Sequence, residues 1–594
     1  MGDVELSRIR AFSIWGGDCI LAAMRRVLFF PSLVLLVMGV LCYLLSAQAG
    51  DATGAAVRGG VHRPVTFAIA DDIKTLDPGK MSWVNDIRVA MGLWEGLCAY
   101  DPETLAPVPG VAASWEISPD QMTYTFHLRG DAKWSNGEAV TAQDFLFAWQ
   151  RVLTPSTGAD YSELFNCITG VKEYSAAYAA HEADPKKNPR PEFSSIGVSS
   201  PDPHTLVVHL NIPTNYFLDL LAFPPFFPLY EPSLRPFQLS ETDAAQGYSG
   251  GWTRPPAIVS NGPFVLADWR LRRNLTLEPN PKYWDRVHVL CDRLTITPIP
   301  QDERAALLAY QTRTVDMLSF VPQEFGEELL AAQAKGQWPD VHFRPVFGTY
   351  YYVLNCTRGP LTDKRVRRAL ALAINRQTIV DEVTRMHQKP VTRLVPADAI
   401  PGYVSPKTFD PKGDVAEARR LLAEAGFPNG RGMKTIDILY SSDVPVHGRI
   451  AQAIAQMWKQ NLGVDITSRP LERAGFSAAR QQDHSFDIAR GGWYGDYRDP
   501  TTWLDLLRST NGNNDGKFNS PAYDELLNKA ASEHDPARRL AILSEAESMI
   551  DNDELPLIPL YQYSDGMIFD EKKIQGLYVN DRLLTPFKGL HAAP

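Results

Sequence analysis

The stretch TYTFHLRGDAKWSNGEAVTAQDFLFAWQRV, residues 123–152, shows how this chain folds locally. Its first seven residues alternate polar and apolar side chains, which predicts a half-buried strand. We expect three residues on its buried face: Tyr124, Phe126 and Leu128. A turn follows at 135–137, and Thr141 with Asp144 three residues later predicts a capped helix start. Core packing is expected for the residues at helical spacing: Phe145, Ala148, Trp149 and Val152.

Helices and strands continue to alternate further along the chain. Helices are predicted at three places: 366–374, 416–425 and 450–462. Gly426 and Gly463 end the last two, and a strand begins at 464. The segment 228–262, rich in Pro, Gly and Ser, is predicted to be a long surface loop. The second half therefore predicts an α/β lobe and the hairpins of the first half a lobe built differently, with a ligand cleft between them.

Composition and charge exclude several classes of protein. The chain has 594 residues, 44% hydrophobic and 22% charged, which predicts more than one core. Its net charge of −10 argues against nucleic-acid binding, because phosphates need clustered Lys and Arg. We expect no metal or cofactor, since the histidines form no ligand pair and no P-loop is present. One or two disulfides remain open among four widely spaced cysteines: Cys98, Cys167, Cys291 and Cys356.

Residues 1–49 have the pattern of a leader and export signal. Met24 is followed by two arginines, an apolar run from 27 to 45 and a small-x-small site ending at Ala49, which is typical of a signal cleaved after Ala49. The apolar run is also close to the ~20 residues that span a bilayer, so membrane anchoring through 27–46 is the alternative. The true start is either the first methionine or Met24. In each case we expect the protein in the periplasm or on the exterior of the cell envelope.

The stretch RGGWYGDYRDP, residues 490–500, contains the main candidate for ligand binding. Asp496 lies among aromatic residues, where a carboxylate is poorly hydrated and benefits from a cationic partner. Gly491, Gly492 and Gly495 allow a backbone to approach a ligand closely. The combination suits a ligand that carries a free ammonium followed by peptide groups.

The neighbours of Asp496 have alternative interpretations. Arg490 either stiffens the loop in an ion pair or meets a ligand carboxylate. Trp493 and Tyr494 are either pocket walls or lobe core. Asp499 precedes Pro500 and an apolar run, which predicts that it caps the helix that follows.

One motif resembles that of an enzyme. The sequence GYSGG at 247–251 matches the nucleophile-elbow pattern, but it lacks the hydrophobic strand before it and the helix after it. We therefore expect a loop here and a protein that is not an enzyme. A secreted peptide hydrolase is the alternative from a different functional class.

The order of several motifs resembles that of a known family. These motifs are TLDP (75–78), the stretch 114–152, NGPF (261–264), NPKYWD (280–285), YYYVLN (350–355), PLTDKRVRRALALAINR (360–376) and IPLY (558–561). From residue 65 to about 580 the chain resembles the bacterial extracellular solute-binding proteins of family 5, the dipeptide, oligopeptide and nickel receptors of ABC importers. The resemblance implies a hinged two-lobe fold of the type II periplasmic-binding-protein class, cluster C-like, with an inserted domain. It implies these divisions: domain I at 63–95, 215–344 and 558–594, inserted domain II at 96–214, and domain III, the opposite lobe, at 345–557.

The same resemblance implies roles for individual residues. Asp496 would hold the α-ammonium of a peptide, and 490–494 would hydrogen-bond its main chain. The facing edge would be Ser82, Trp83 and Val84, where bulky Trp83 departs from the family pattern and leaves the peptide length open. We expect a monomer that captures short peptides and delivers them to an ABC permease with its ATPase subunits. A nickel, haem or oligosaccharide receptor of the same fold is the alternative.

Overall fold

The computed structural model describes residues 63–239, 247–299 and 302–593. The predicted signal or anchor within 1–49 lies outside the described residues. In the described ranges, no helix is long and apolar enough to cross a membrane. Cys98, Cys167, Cys291 and Cys356 are free thiols, so no disulfide joins them.

The structure is mixed α/β. The strands are β1 (Val65–Ile69), β2 (Cys98–Tyr100), β3 (Pro107–Pro109), β4 (Ala112–Ile117), β5 (Thr123–Leu128), β6 (Val198–Asp202), β7 (Thr205–His209), β8 (Phe264–Arg270), β9 (Asn274–Pro279), β10 (Leu294–Pro298), β11 (Met317–Leu318), β12 (Val341–Leu354), β13 (Lys389–Pro390), β14 (Ile436–Ser441), β15 (Ile466–Leu471), β16 (Ile488–Tyr494), β17 (Leu557–Phe569), β18 (Ile574–Gln575) and β19 (His591–Ala592). The helices are α1 (Val84–Leu93), α2 (Ala142–Val152), α3 (Val171–Ala183), α4 (Phe217–Leu220), α5 (Glu231–Leu234), α6 (Glu303–Gln311), α7 (Gly326–Ala334), α8 (Lys364–Leu372), α9 (Arg376–Thr378), α10 (Val415–Glu424), α11 (Pro445–Leu462), α12 (Arg473–Ser477), α13 (Thr501–Leu504), α14 (Pro521–Ser532) and α15 (Pro536–Ser548).

One large sheet runs through the molecule in the order β15-β14-β16-β12-β17-β11-β1-β10-β9-β8, with β13 paired to β17. We call the part around β1 and β8–β11, residues 63–345 and 564–593, lobe 1. Lobe 1 also contains a separate antiparallel sheet, β4-β5-β7-β6. We call the part around β14–β16, residues 346–563, lobe 2. Each lobe has its own hydrophobic core.

The long antiparallel strands β12 and β17 pass from one lobe to the other. Their pairing has a small register shift between Tyr350 and Tyr351 and a larger one between Pro345 and Thr349. The larger shift coincides with the passage between lobes. A break in the ladder at this point is a natural place for bending, because few inter-strand hydrogen bonds oppose a rotation there.

Local sequence patterns predicted many of these elements. In β5 the three expected apolar residues are buried, and Thr141 donates its backbone N–H to the Asp144 carboxylate (2.7 Å) at the start of α2. The predicted helices correspond to α8, α10 and α11, and Gly463 ends α11 in a left-handed conformation with φ 71°. The segment 228–262 differs from the prediction of a surface loop. Its described part contains short helical turns and the buried Trp252, whose ring meets that of Trp94 edge-on at 6.5 Å in the lobe 1 core.

Candidate functional site

Asp496 lies in the loop after β16, at the junction of the two lobes. The Tyr161 hydroxyl donates a hydrogen bond to Asp496 Oδ1 (2.8 Å), and the Arg582 guanidinium donates one to the Asp496 backbone carbonyl. Both donors belong to lobe 1. Asp496 is half-buried, and its carboxylate faces the Tyr161 hydroxyl of the other lobe.

The electrostatic state of Asp496 is unusual for an aspartate. Burial raises its pKa to about 6, and the nearby charge of Glu163 adds to this rise. The Tyr161 hydroxyl, the positive charge of Arg582 and a hydrogen bond from Thr502 oppose it. Within the described residues the carboxylate makes no ion pair. A desolvated carboxylate without a cationic partner is suited to receive a cation, because the incoming charge compensates the lost hydration.

Strand β16 offers a backbone edge next to Asp496. On one side its residues Arg490 to Tyr494 pair with β12. On the other side β14 pairs only with Ile488 and Ala489. Among the described strands, none continues this second edge beyond 489. An extended peptide can add to such an edge through main-chain hydrogen bonds.

Two glycines of this stretch, Gly491 and Gly492, lie close to tyrosine side chains of the protein itself. A side chain at Gly491 would have its Cβ 2.4 Å from the Tyr351 ring, and one at Gly492 would have its Cβ 2.2 Å from the Tyr563 hydroxyl. The close approach at these two positions is thus made by the protein's own tyrosines. A larger residue at either position would force these tyrosine side chains to move.

Arg490 lies among tyrosines. Its Nη2 donates to the Tyr563 hydroxyl (2.6 Å), and its guanidinium carbon lies 4.8 Å from the centroid of the Tyr350 ring. Its Nε is buried without a hydrogen-bond partner, and no ion pair with a carboxylate is found among the described residues. Burial, together with the Arg490 charge, lowers the pKa of nearby His447 to about 3. Arg490 is therefore a positive charge that tyrosines stabilise and that has no carboxylate partner among the described residues.

The two aromatic candidates, Trp493 and Tyr494, have different surroundings in the structure. Trp493 is half-buried against the lobe 2 core, and its indole nitrogen is 3.5 Å from the Thr502 hydroxyl. Tyr494 is 49% exposed and stacks on Tyr563 with ring centroids 4.7 Å apart. Tyr494 thus presents a ring to solvent beside the free edge, whereas Trp493 mainly supports the strand.

The facing segment in lobe 1 is short. The Ser82 hydroxyl donates to Asp160 (2.6 Å), the residue before Tyr161. Val84 is already the first residue of α1, so the extended stretch on this side ends at Trp83. Ser82 and Trp83 are thereby connected to the Asp496 region, and Val84 belongs to the helix.

Trp83 lies where the two lobes meet and is 39% exposed. The Lys74 ammonium lies 2.8 Å from its ring centroid, and the guanidinium of Arg473, from lobe 2, lies 5.5 Å away. Arg473 also lines a cavity of about 1360 Å³ between the lobes, which Phe320 lines from lobe 1 and Glu382 from lobe 2. Asp496 itself does not line this cavity. The cavity is large enough for ligand side chains next to the short facing segment.

Asp499 has the structural surroundings expected of a capping residue. Its Oδ1 accepts the backbone N–H of Thr501 (3.1 Å), the first residue of α13. Both carboxylate oxygens also pair with buried Arg539, at 2.6 and 2.9 Å. This second contact was not predicted from the sequence.

Sequence reasoning missed the lobe 1 residues that hold the loop containing Asp496 and Arg498. Tyr161, Asp219 and Arg582 carry no local motif, and they approach the loop only in the folded chain. The described residues contain no group of three or more His, Cys, Asp or Glu side chains that could hold a metal ion.

Comparisons with known proteins agree with this architecture. The model of the family described as bacterial extracellular solute-binding proteins, family 5 Middle, matches residues 106–515. The periplasmic murein peptide-binding protein MppA of Escherichia coli (strain K12) is 34% identical over 504 residues, which cover 84% of this chain and 88% of MppA. The structure of the Escherichia coli murein tripeptide binding protein MppA aligns with a TM-score of 0.75 and 30% identity, covering 90% of this chain and 99% of that one.

Two further relatives are named for oligopeptides. The periplasmic oligopeptide-binding protein OppA of Salmonella typhimurium is 33% identical over 567 residues, which cover 93% of this chain and 95% of OppA. The crystal structure of Haemophilus influenzae OppA in complex with RPPGFSPFR aligns with a TM-score of 0.74 and 26% identity, covering 90% of this chain and all of that one. These matches confirm the predicted two-lobe fold of the periplasmic-binding-protein class.

Proposed function

This chain belongs to the bacterial extracellular solute-binding proteins of family 5, and we propose that it is a receptor that captures short peptides between its lobes and delivers them to an ABC permease. The relatives named above are peptide-binding proteins, and this chain has the same fold over nine-tenths of its length. The protein acts outside the cytoplasm, as these relatives do by name. We propose the periplasm as its compartment, with an N-terminal signal or anchor.

The observation that carries the proposal is the state of Asp496. This carboxylate is desolvated at the junction of the lobes and makes no direct ion pair with any of the described residues. The α-ammonium of a peptide supplies the partner for such a pair. The next peptide groups then lie beside the edge of β16 that no described strand occupies, where main-chain hydrogen bonds bind them without regard to side chains.

Arg490 supplies a second charge of opposite sign on the same segment. Its guanidinium lacks a carboxylate partner, which favours contact with the ligand carboxylate over the ion-pair alternative. Arg490 and Asp496 are six residues apart in sequence, hence at most roughly 20 Å apart along an extended chain.

Closure would occur at the register shift of β12 and β17. In this mechanism the hinge lies at 345–349 of β12 and 562–564 of β17, near the predicted boundaries of domain I and domain III at 345 and 558, and 96–214 forms the inserted domain. Ligand bound along strand β16 in lobe 2 and to the facing segment in lobe 1 stabilises the closed form, because only that form makes both sets of contacts. The closed monomer is the form that we expect the permease to recognise.

Calorimetry with three related ligands tests the proposal: trialanine, its N-acetyl form and its C-terminal amide. We expect trialanine to bind, acetylation to abolish binding, and amidation to weaken it. Replacement Arg490→Met should remove the difference between the acid and the amide. Equal binding of acetylated and free trialanine would show that Asp496 is not an ammonium site.

The alternatives give different results in the same experiment. A nickel, haem or oligosaccharide receptor would not bind trialanine. A peptide hydrolase would cleave trialanine, whereas for a receptor we expect mass spectrometry to recover the intact peptide after prolonged incubation. The family and the relatives named above are binding proteins rather than enzymes.

A further inference from the structure

The loop that carries Asp496 is fastened to lobe 1 at two backbone positions. Arg582 Nη2 donates to the carbonyl of Asp496. Two residues later, the backbone N–H of Arg498 donates to Asp219 Oδ2 (3.1 Å). Arg582 and Asp219 are themselves joined, with Nη1 and Oδ1 2.7 Å apart. One ion pair thus holds both sides of the loop.

The residue between these two positions is also held by lobe 1. The Tyr497 ring stacks on Tyr216 with centroids 4.1 Å apart and planes within 10°. Tyr497 is buried in the lobe 1 core although it follows a lobe 2 strand. Three consecutive residues, 496 to 498, are therefore fixed from the other lobe.

The ion pair is almost completely buried. The side chain of Arg582 is 3% exposed and that of Asp219 is 9% exposed. Arg582 Nη2 also lies 3.1 Å from the Tyr100 hydroxyl. A buried guanidinium with this many acceptors has little freedom to move, so it fixes what it binds.

The residue next to this ion pair makes contacts towards the hinge. Asp581, next to Arg582, pairs with the guanidinium of Arg498 (2.9 Å). Its backbone carbonyl accepts the N–H of Phe347 (2.6 Å), within the register shift of β12. The C-terminal segment therefore contacts both the Asp496 loop and the strand that crosses between the lobes.

We propose that Arg582 and Asp219 are positioning residues of the ammonium site: they hold the backbone of the Asp496 loop, and Arg582 supplies the positive charge that favours its ionised carboxylate. This inference rests on the proposed function of Asp496. The groups that face the carboxylate are Tyr161 and Glu163 from one segment of lobe 1, Thr502 from α13, and Arg582. Of these, only Arg582 carries a positive charge.

The pH dependence of binding tests the inference. The double variant Arg582→Met/Asp219→Asn removes both charges and leaves no single unpaired ion in the core. For trialanine we expect weaker binding at pH 7, and a rise of about one unit in the pH at which half of the affinity is lost. A binding profile that superimposes on that of the wild type would overturn the proposal.

A matched control uses another ion pair of the same kind. Arg367 and Glu554 of lobe 2 lie 3.2 Å apart, with the arginine 4% exposed, and neither contacts the Asp496 loop. Arg367→Met/Glu554→Gln should alter the unfolding midpoint and leave the pH profile unchanged. An equal shift of the profile in this control would also contradict a positioning role.

Two additional measurements keep the test decisive. If the double variant does not fold, the single variant Arg582→Lys is measured instead. It keeps the positive charge and loses the forked geometry of the guanidinium, so the affinity for trialanine should fall severalfold while the pH at which half of the affinity is lost stays unchanged. An affinity equal to that of the wild type would refute the positioning role. Titration of the Asp496 carboxyl carbon by NMR in ligand-free protein, assigned with Asp496→Asn, separates this inference from the proposed function. If the pKa of Asp496 is higher in the double variant but the wild type binds no peptide, Arg582 has the proposed electrostatic role and the protein is not a peptide receptor.

Discussion

Asp496 and Asp499 lie in the same loop, three residues apart, and their surroundings are opposite. Asp499 is buried and paired through both oxygens with Arg539 of its own lobe. Asp496 receives a tyrosine hydroxyl from the other lobe and has no ion pair among the described residues. One carboxylate is compensated inside the protein, and the other is left available.

The difference shows how a folded chain separates structural charges from ligand-binding charges. The Asp499–Arg539 pair is intact in the folded protein, so a ligand cannot add much to it. Asp496 is held in a partly desolvated state whose raised pKa indicates that its ionised form is poorly compensated. Such a group gains most from an external cation. Changes at the two positions should therefore affect different measured quantities.

The largest effect is expected for Asp499→Ala. This change leaves the buried Arg539 without its partner, and breaking a buried pair costs about 3–5 kcal/mol of unfolding free energy. Urea unfolding followed by tryptophan fluorescence measures it. The double variant Asp499→Ala/Arg539→Met removes the unpaired charge and should recover part of the loss. A single variant as stable as the wild type would contradict the structural role of Asp499.

The next effect concerns affinity rather than stability. Asp496→Asn keeps the size of the side chain and removes its charge, so the peptide ammonium loses its partner at a cost of roughly 2–5 kcal/mol in binding free energy. The urea midpoint should not fall, since no ion pair inside the protein is broken. Calorimetry with trialanine and the same urea experiment measure the two quantities. If Asp496→Asn lowers stability as much as Asp499→Ala, the two acids do not differ in the way proposed.

Local sequence signals were sufficient for much of the fold. The alternation in β5, the capping pair Thr141 and Asp144, and the glycine that ends α11 all act within a few residues. The capping contact of Asp499 also follows from its position before Pro500. Such features depend on backbone geometry that neighbouring residues determine, so a single sequence contains them.

The partners of the candidate site could not be predicted in this way. Tyr161 is 335 residues away from Asp496 in the chain, and Arg582 is 86 residues away. The sequence indicated that Asp496 needs a cation and did not indicate which groups already surround it. The packing of Gly491 and Gly492 could not be predicted either, because the tyrosine rings that lie against them come from the distant strands β12 and β17. Contacts between distant segments arise only from the tertiary fold.

A smaller effect is expected from pH in the wild type. The pKa of Asp496 in the free protein is about 6, and a bound ammonium lowers it, so binding is favoured above this pH and lost below it. From pH 7 to pH 5 we expect the affinity for trialanine to fall about tenfold. Calorimetry across this range measures the change. Asp496→Asn should show a flat profile, and a sloping one would assign the titration to another group.

The smallest effect is expected for Tyr161→Phe, which removes the hydrogen bond to Asp496 Oδ1 and keeps the ring. Loss of a donor to the ionised form raises the pKa of Asp496, so affinity at pH 7 should fall about two- to threefold relative to the wild type, and the difference between the two proteins should disappear near pH 8.5, where the carboxylate is ionised in both. Tyr310→Phe is the matched control, since the Tyr310 hydroxyl donates to Asp340 (2.6 Å) at a remote place in lobe 1. A carboxylate can accept several hydrogen bonds, so the hydroxyl and the ammonium can bind together. If Tyr161→Phe instead binds peptide more tightly, the hydroxyl competes with the ligand, and Asp496 is a site that lobe 1 occupies until a peptide displaces it.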